Sequence, residues 1–381
     1  MCGVDSAMFT VMAGAMVFSP REWGYFLLGN LSNLKYTIIM TKIMTILLRL
    51  TNWLLFFVRP DKTRIQFLTN EFTTPQGDFK TLIDQLTKDH YNVHFYGVHF
   101  KGSLKDKIHY AFACMVQLYL CRKSAVVVLN DNNFTISVCK PAHLKVLQIW
   151  HATGAVKKFG EQLPKHKYQI CGYDKVLCCG KYWKPIFAQA FNVPDESVID
   201  TGLPCTDELI QRDPKPQHVV SYLPTFRGTS MDGIKWVDFD EKRIQSELPN
   251  GWKLATRYHP LLPLESNTAG MSLNDVLGMS DIIITDYSSV MFDASLLKDR
   301  TILIYAPDYE EYKDTVGYNI DLEEEFKGGI AKDEDSLVKL IKESIENPRP
   351  NTGYIQEKYV THTDGYNTER VLEQIKDLLS Q

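Results

Sequence analysis

The 381 residues contain no C-x-x-C pair, no glycine-rich phosphate loop and no uncharged apolar run of membrane-spanning length. The first absence excludes a zinc ribbon and a thioredoxin-type redox motif. The eight cysteines sit mostly in apolar stretches, where a reduced thiol serves as a small hydrophobe. Without G-x-x-x-x-G-K-[ST] there is no P-loop nucleotide site, and no G-x-G-x-x-G follows a strand to hold NAD. No D-x-D follows a strand, and no His, Cys or Asp set has metal spacing. Lys and Arg number 42 against 46 Asp and Glu, a net charge of −4, which excludes a bulk basic surface for nucleic acid. Hydrophobic residues at 44% and charged residues at 23% exclude a disordered or collagen-like chain.

One local absence stands out. Between Leu31 and Pro60 there is no acidic residue, while Lys35, Lys42, Arg49 and Arg59 are present. The stretch 38–58 is strongly apolar, but Lys42 and Arg49 interrupt it. Each charge near a helix centre costs roughly 2.5–3.5 kcal/mol of insertion free energy. The longest uncharged run inside the stretch is 50–58, short of the ~20 residues a span requires. Lys42, Thr45, Arg49 and Asn52 share one helical face, and Ile43, Ile46, Leu47, Leu50, Trp53, Leu54 and Phe57 fill the rest. A wide apolar face beside a narrow basic stripe suits a helix lying in a membrane interface. A buried helix with two snorkelling cations is the alternative. Pro60 ends the segment. The apolar run 7–18 has no basic n-region before it and makes a poor signal peptide. Met8, Met12 and Met16 are alternative starts.

Beyond Pro60, strand-like and helix-like runs alternate. Strands are predicted at 64–70, 91–98, 124–131, 145–152, 173–180 and 196–202, with helices at 79–89 and 107–123. The pattern restarts after about residue 215, with strands at 217–227, 251–260, 281–289 and 301–307 and helices at 335–347 and 368–380. Two such α/β units in series imply two Rossmann-like domains facing a cleft. The expected division is 1–60 as a membrane-associating helical segment, 61–205 as the first domain, and 206–381 as the second with a closing C-terminal helix. Ligands in such folds bind beyond the carboxyl ends of the strands.

Four strand ends carry unusual residues. In 150–160 His151 leaves a strand ahead of Ala152, Thr153, Gly154 and Ala155, small residues that admit a phosphate to the backbone. Lys157 and Lys158 add charge. A histidine is the natural base near neutral pH. In 222–227, Pro224 fixes a turn while Thr225 and Arg227 offer a hydroxyl and a guanidinium to a phosphate. In 257–260, Arg257 and His259 flank Tyr258 and share a face as a diphosphate clamp. In 280–293, Ser288 and Ser289 stand at a helix N-terminus suited to an anion, and Asp293 lies one turn on, placed to accept from a ribose. Each cluster alone also reads as an ordinary strand exit or cap. Together they leave a metal-independent transferase with a nucleotide-diphosphate donor.

At these residues the chain resembles the CDP-glycerol glycerophosphotransferase family of wall teichoic acid synthesis. WHATGAVKKFG (150–160), TGLPCTD (201–207), YLPTFR (222–227), RYHP (257–260), SDIIITDYSSVMFD (280–293), YAPDYEEY (305–312) and the late Asp364-Gly365 match in order. The resemblance implies a GT-B-like fold, with the acceptor at the first domain and the nucleotide mainly at the second, on the cytoplasmic face of the membrane as a peripheral protein. It implies His151 as catalytic base and His259 with Arg257 on the donor phosphates. Ala152, Thr153, Gly154, Ala155, Pro224, Thr225, Tyr258, Ser288, Ser289 and Asp293 would line the CDP-glycerol site, with no metal and no cofactor beyond the donor. The Gly-Ala after the histidine and the short chain resemble the priming enzymes. Their activity would transfer one glycerol phosphate to undecaprenyl-diphosphate-linked N-acetylmannosaminyl-N-acetylglucosamine and release CMP, alongside other teichoic acid synthesis enzymes. A glycerol- or ribitol-phosphate polymerase, a GT-B enzyme using a UDP-sugar, and an inactive membrane scaffold are the alternatives. Cys205 departs from the family, which usually has arginine there, and is left outside the expected site.

Overall fold

The computed structural model describes residues 40–99, 104–163, 168–227, 235–259 and 262–381. The expected segment 1–60 is therefore described only from residue 40, and Pro260 and the starts at Met8, Met12 and Met16 lie outside the described residues.

Two parallel sheets form the framework, giving a GT-B-like α/β architecture. The first holds β1 (Asp61–Thr69), β2 (Asn92–Gly97), β3 (Ser124–Leu129), β4 (Lys145–Gln148), β5 (Lys175–Cys178) and β6 (Val198–Asp200) in the order β2-β1-β3-β4-β5-β6. The second holds β7 (Val219–Leu223), β8 (Lys253–Thr256), β9 (Ser280–Thr285), β10 (Thr301–Tyr305) and β11 (Ile330–Ala331) in the order β11-β10-β9-β7-β8. Counted from its own first strand, each sheet begins 2-1-3-4-5. Each therefore has its topological switch point between its first and third strands, β1/β3 and β7/β9. Runs such as Val126–Leu129 and Ile282–Ile284 are buried throughout, because helices cover both faces of a parallel sheet.

The helices of the first half are α1 (40–54), α2 (Gly77–Lys88), α3 (Leu104–Lys123), α4 (Phe134–Cys139), α5 (Lys184–Phe191) and α6 (Pro204–Arg212). Those of the second are α7 (Glu241–Glu247), α8 (Leu273–Met279), α9 (Val290–Ser295), α10 (Tyr309–Thr315), α11 (Leu322–Glu325), α12 (Glu334–Glu346), α13 (Thr352–Tyr359) and α14 (Asn367–Ser380). Caps mark several starts: Ser272 accepts from Asp275 N before α8, and Asp333 from Ser336 N before α12.

The last helix does not stay with the second sheet. Val371, Leu372, Ile375 and Leu378 of α14 pack with Ile65 and Phe67 of β1 and Phe79, Leu82 and Leu86 of α2. A chain that crosses back in this way ties the two units together. Between them, Trp183 before α5 meets Phe292 of α9 with ring centroids 4.9 Å apart and donates its indole N–H to Tyr359 O at 2.9 Å.

Helix α1 lies on the surface. Leu48 is fully buried against Cys114 and Leu118 of α3, and Arg122 donates to Asn52 Oδ1 at 2.8 Å. Lys42 and Arg49 are exposed. So are Ile46, Leu50, Leu54 and, at 70%, Trp53. Ile108, Phe112, Val116 and Tyr119 of α3 are exposed as well. No helix of the described residues is long and apolar enough to cross a membrane.

Several strand predictions run four residues too far at the carboxyl end. The stretch 145–152 stops at Gln148 because Trp150 takes a left-handed φ of 62°. The stretch 217–227 stops at Leu223 because Pro224 has no N–H for the ladder. These overshoots fall on the strand ends that carry the candidate site residues.

Candidate active site

The first half of the site leaves β4. Trp150 N donates to Gln148 Oε1 at 2.9 Å, and the chain turns in a left-handed conformation at Trp150 just before His151. The indole lies beside the imidazole, tilted by 32° with centroids 4.0 Å apart. His151 Nδ1 lies 2.8 Å from Asn130 O, the first backbone carbonyl after β3. A carbonyl only accepts, so Nδ1 carries the proton and Nε2 keeps its lone pair. Burial drives the His151 pKa down to about 4, and the bond to Asn130 opposes this only in part. The ring is uncharged at neutral pH, with its basic nitrogen defined.

The small residues after His151 contact the second unit. Thr153 is buried and donates its hydroxyl to Asp293 Oδ1 in α9. Burial raises the Asp293 carboxyl to about 6, with the Thr153 bond pulling the other way. Asp293, expected to accept from a ribose, is instead engaged across the domain boundary. A Cβ on Gly154 would come within 2.4 Å of the Phe292 ring and 2.6 Å of Trp183. The glycine therefore admits aromatic side chains, where a phosphate was expected. Ala152 and Ala155 pack in the same core.

Lys157, which adds charge to this turn, is tied to the second unit. Its backbone bridges Tyr318 of the second unit, and its Nζ reaches Thr225 Oγ1 at 3.5 Å. The ammonium lies 6.0 Å from the centroid of Phe226 and 5.9 Å from that of Tyr312. Asn319 Nδ2 donates to Ala155 O at 3.1 Å and Lys157 O at 3.0 Å, which holds this turn.

The second half of the site lies at the β7/β9 switch point. Asp286 follows β9 and takes the Thr225 N–H on both oxygens, at 3.0 and 3.1 Å. Pro224 is buried beside it. Arg227 was expected to face a phosphate. It is buried, with Nη1 2.8 Å from Asp286 Oδ2 and Nε 2.7 Å from Asp308 Oδ2. It also lies over the Tyr287 ring at 4.5 Å. A guanidinium held by two carboxylates and an aromatic face organises the loop and has little left to offer a ligand.

Arg257 and His259 are half-buried and share a side, while Tyr258 between them turns into the core and donates to Glu241 Oε1 at 2.7 Å. Tyr258, expected at the donor, thus packs behind the site with Tyr222. Arg257 Nη1 donates to Met271 O at 2.6 Å, and its Nε finds no partner among the described residues. The imidazole of His259 lies 4.8 Å from the Phe226 ring. Burial first, and then the Lys157 charge, push its pKa down to about 4. Ser288 Oγ accepts weakly from Val290 N at 3.3 Å, and Ser289 makes no capping bond. Helix α9 has six residues, Val290–Ser295.

The arrangement thus joins His151, the 152–157 turn, Thr225, Phe226 and α9, with His259 on Phe226. Sequence reasoning missed Asn130, the role of Asp308 and the reach of Lys157. Asp308 stood in the matched 305–312 segment, but nothing local marked its partner.

Two Rossmann-like units in a GT-B-like arrangement thus carry a neutral histidine just beyond β4 and the Arg257–His259 pair just beyond β8. A sequence profile described as CDP-glycerol:poly(glycerophosphate) glycerophosphotransferase matches residues 51–377, and the chain belongs to that family. It is 30% identical over 309 residues to the teichoic acid ribitol-phosphate primase of Bacillus spizizenii (strain ATCC 23059 / NRRL B-14472 / W23), covering 71% of this chain and 78% of that one. It is 26% identical over 295 residues to the teichoic acid glycerol-phosphate primase of Bacillus subtilis (strain 168), covering 69% and 76%. It is also 26% identical to a teichoic acid poly(ribitol-phosphate) polymerase of the same Bacillus spizizenii strain, but spans only 56% of that protein's length. Among solved structures, the wall teichoic acid polymerase TagF superposes with a TM-score of 0.65 at 17% identity, covering 92% of this chain and 98% of that one. That likeness supports the fold.

Proposed function

We propose that the enzyme is a priming glycerophosphotransferase. It moves one glycerol phosphate from CDP-glycerol to undecaprenyl-diphosphate-linked N-acetylmannosaminyl-N-acetylglucosamine. The observation that carries this reading is His151, whose Nδ1 proton is committed to Asn130 O so that Nε2 faces the reaction as a base. The acceptor hydroxyl gives its proton to Nε2, and its oxygen bonds to the phosphorus bearing glycerol. The bond from that phosphorus to the bridging oxygen breaks, and CMP leaves with the electron pair. Donor phosphates beside His151 and His259 raise both depressed pKa values toward neutrality, which strengthens the base when substrate is bound. Arg257, His259, Thr225 and the Ser288-Ser289 turn gather around the phosphates and offset their developing charge. The first unit then serves the acceptor and the second the donor, and no cofactor is called on.

The exposed apolar face of α1, bordered by Lys42 and Arg49, is proposed to rest on the anionic cytoplasmic leaflet and bring the site to a lipid-linked acceptor. Sedimentation with anionic vesicles tests this: Trp53→Glu should weaken binding several-fold, and unchanged binding would refute it.

The central test is CMP release from CDP-glycerol with the synthetic lipid-linked disaccharide, followed by mass spectrometry of the product. A single addition is expected, and His151→Ala should lower kcat by about 10²–10⁴. A ladder of additions would replace priming with polymerisation. UDP release from a UDP-sugar without CMP release would overturn the donor. A ribitol-phosphate primase is the second reading, favoured by the 30% identical relative, and CDP-ribitol in the same assay separates the two.

A further inference from the structure

Asn130 follows β3 at the β1/β3 switch point and is 3% exposed. Its backbone carbonyl holds His151 Nδ1, so the residue sits directly under the proposed base. Its side-chain nitrogen donates to Glu71 Oε2 at 2.8 Å, just beyond β1. A carboxylate oxygen accepts, so this bond fixes which way the amide faces. Asn130 Oδ1 is then a buried acceptor that no donor among the described residues reaches. Buried polar groups are nearly always hydrogen-bonded, and an unmet one destabilises the fold. Its retention beside the base needs a reason, and the carboxyl end of a switch point is where ligands bind in doubly wound sheets.

We propose that Asn130 Oδ1 binds the acceptor substrate by taking a hydrogen bond from a hydroxyl adjacent to the attacking one, so that the acceptor is read as a vicinal diol of a sugar or polyol. This rests on the phosphotransfer reading above. One hydroxyl yields its proton to His151 Nε2 as its oxygen bonds to phosphorus and CMP departs. The neighbouring hydroxyl keeps its proton and donates to Oδ1. Asn130 sets both acceptors, the imidazole through its carbonyl bond to Nδ1 and the amide oxygen through its side-chain bond to Glu71. A simple alcohol satisfies only the first.

The test compares kcat/KM for CMP release with the lipid-linked disaccharide and with its monodeoxy analogue lacking the hydroxyl beside the attacking one. Leaving a site's polar group unpaired gives wild-type discrimination of about ten- to hundred-fold. In Asn130→Ala the ratio should fall to within about threefold, because the partner is gone. A merely structural role slows both substrates alike and leaves the ratio unchanged, which would overturn the assignment. Equal wild-type rates on both acceptors would also overturn it, and this arm needs no variant to fold. If wild-type enzyme releases no CMP with the parent acceptor, the phosphotransfer reading itself fails and takes this one with it.

Discussion

Asp286→Asn is the most informative single change in the second unit. Asp286 is 1% exposed, and its carboxylate holds both Arg227 Nη1 and the Thr225 N–H. Burial alone would lower the Arg227 pKa, but Asp286, and then Asp308, reverse this and raise it. The amide keeps an oxygen for Thr225 N but removes one of the two charges that offset the buried guanidinium. Breaking a buried ion pair from one side costs about 3–5 kcal/mol. Asp308 still pairs with Nε at 2.7 Å and Nη2 at 3.2 Å, which places the expected loss near 3 kcal/mol at the low end of that range. With a urea slope of roughly 3 kcal/mol/M, the midpoint should fall by about 1 M at unchanged slope. Near-UV circular dichroism across a urea series measures it. Arg227→Met/Asp286→Asn should lose less than the sum of its single variants, by at least about 1 kcal/mol for groups in contact. A single-variant loss under about 1 kcal/mol, or full additivity, would show that Asp308 alone compensates Arg227.

Four further outcomes follow from other contacts. His151 and His259, depressed to about 4, stay neutral when folded while the unfolded chain protonates near 6.5. Stability should therefore be flat above about 6.5 and fall as pH drops toward 4, by up to roughly 3 kcal/mol for each ring, measurable as the urea midpoint against pH. Asp78, raised by burial to about 6, has the opposite sign: its favourable contribution is present at low pH and lost as pH rises through 6. Asp78→Asn should stabilise by about 1–3 kcal/mol at pH 8 and by almost nothing below about pH 4. Lys157→Met should raise the His259 pKa in an NMR titration but leave it below 6.5, because burial is the larger cause. Gly154→Ala should cost about 1–3 kcal/mol by forcing Phe292 and Trp183 apart, seen as a lower thermal midpoint.

Much of the fold was legible because its signals are local. Period-2 and continuous β-branched runs such as SAVVVL (124–129) and SDIIIT (280–285) mark parallel strands in any context. The spacing Phe79, Leu82, Leu86 marks the buried face of α2. The exposed apolar face of α1 was visible in its own periodicity. Strand ends were misjudged because Trp150, Tyr258 and Tyr287 are buried by the rest of the molecule and so look like strand residues. The two-residue β11 was missed because so short a pairing has no pattern of its own.

In the site, sequence named the residues and tertiary structure assigned their duties. His151 at a strand exit, the 224–227 turn, Arg257 with His259, and Ser288 with Ser289 were identified from residue type and position alone. Each depends on a strand ending, which is a local event. The partners lie far off in the chain: Asp293 is 140 residues from Thr153, Asp308 is 81 from Arg227, and Asn130 is 21 from His151. No local pattern encodes such pairings, because they are set by how two sheets and the returning α14 pack. That packing turned Arg227, Asp293, Gly154 and Tyr258 into supports for the site. It also left one imidazole nitrogen and one amide oxygen at the first switch point.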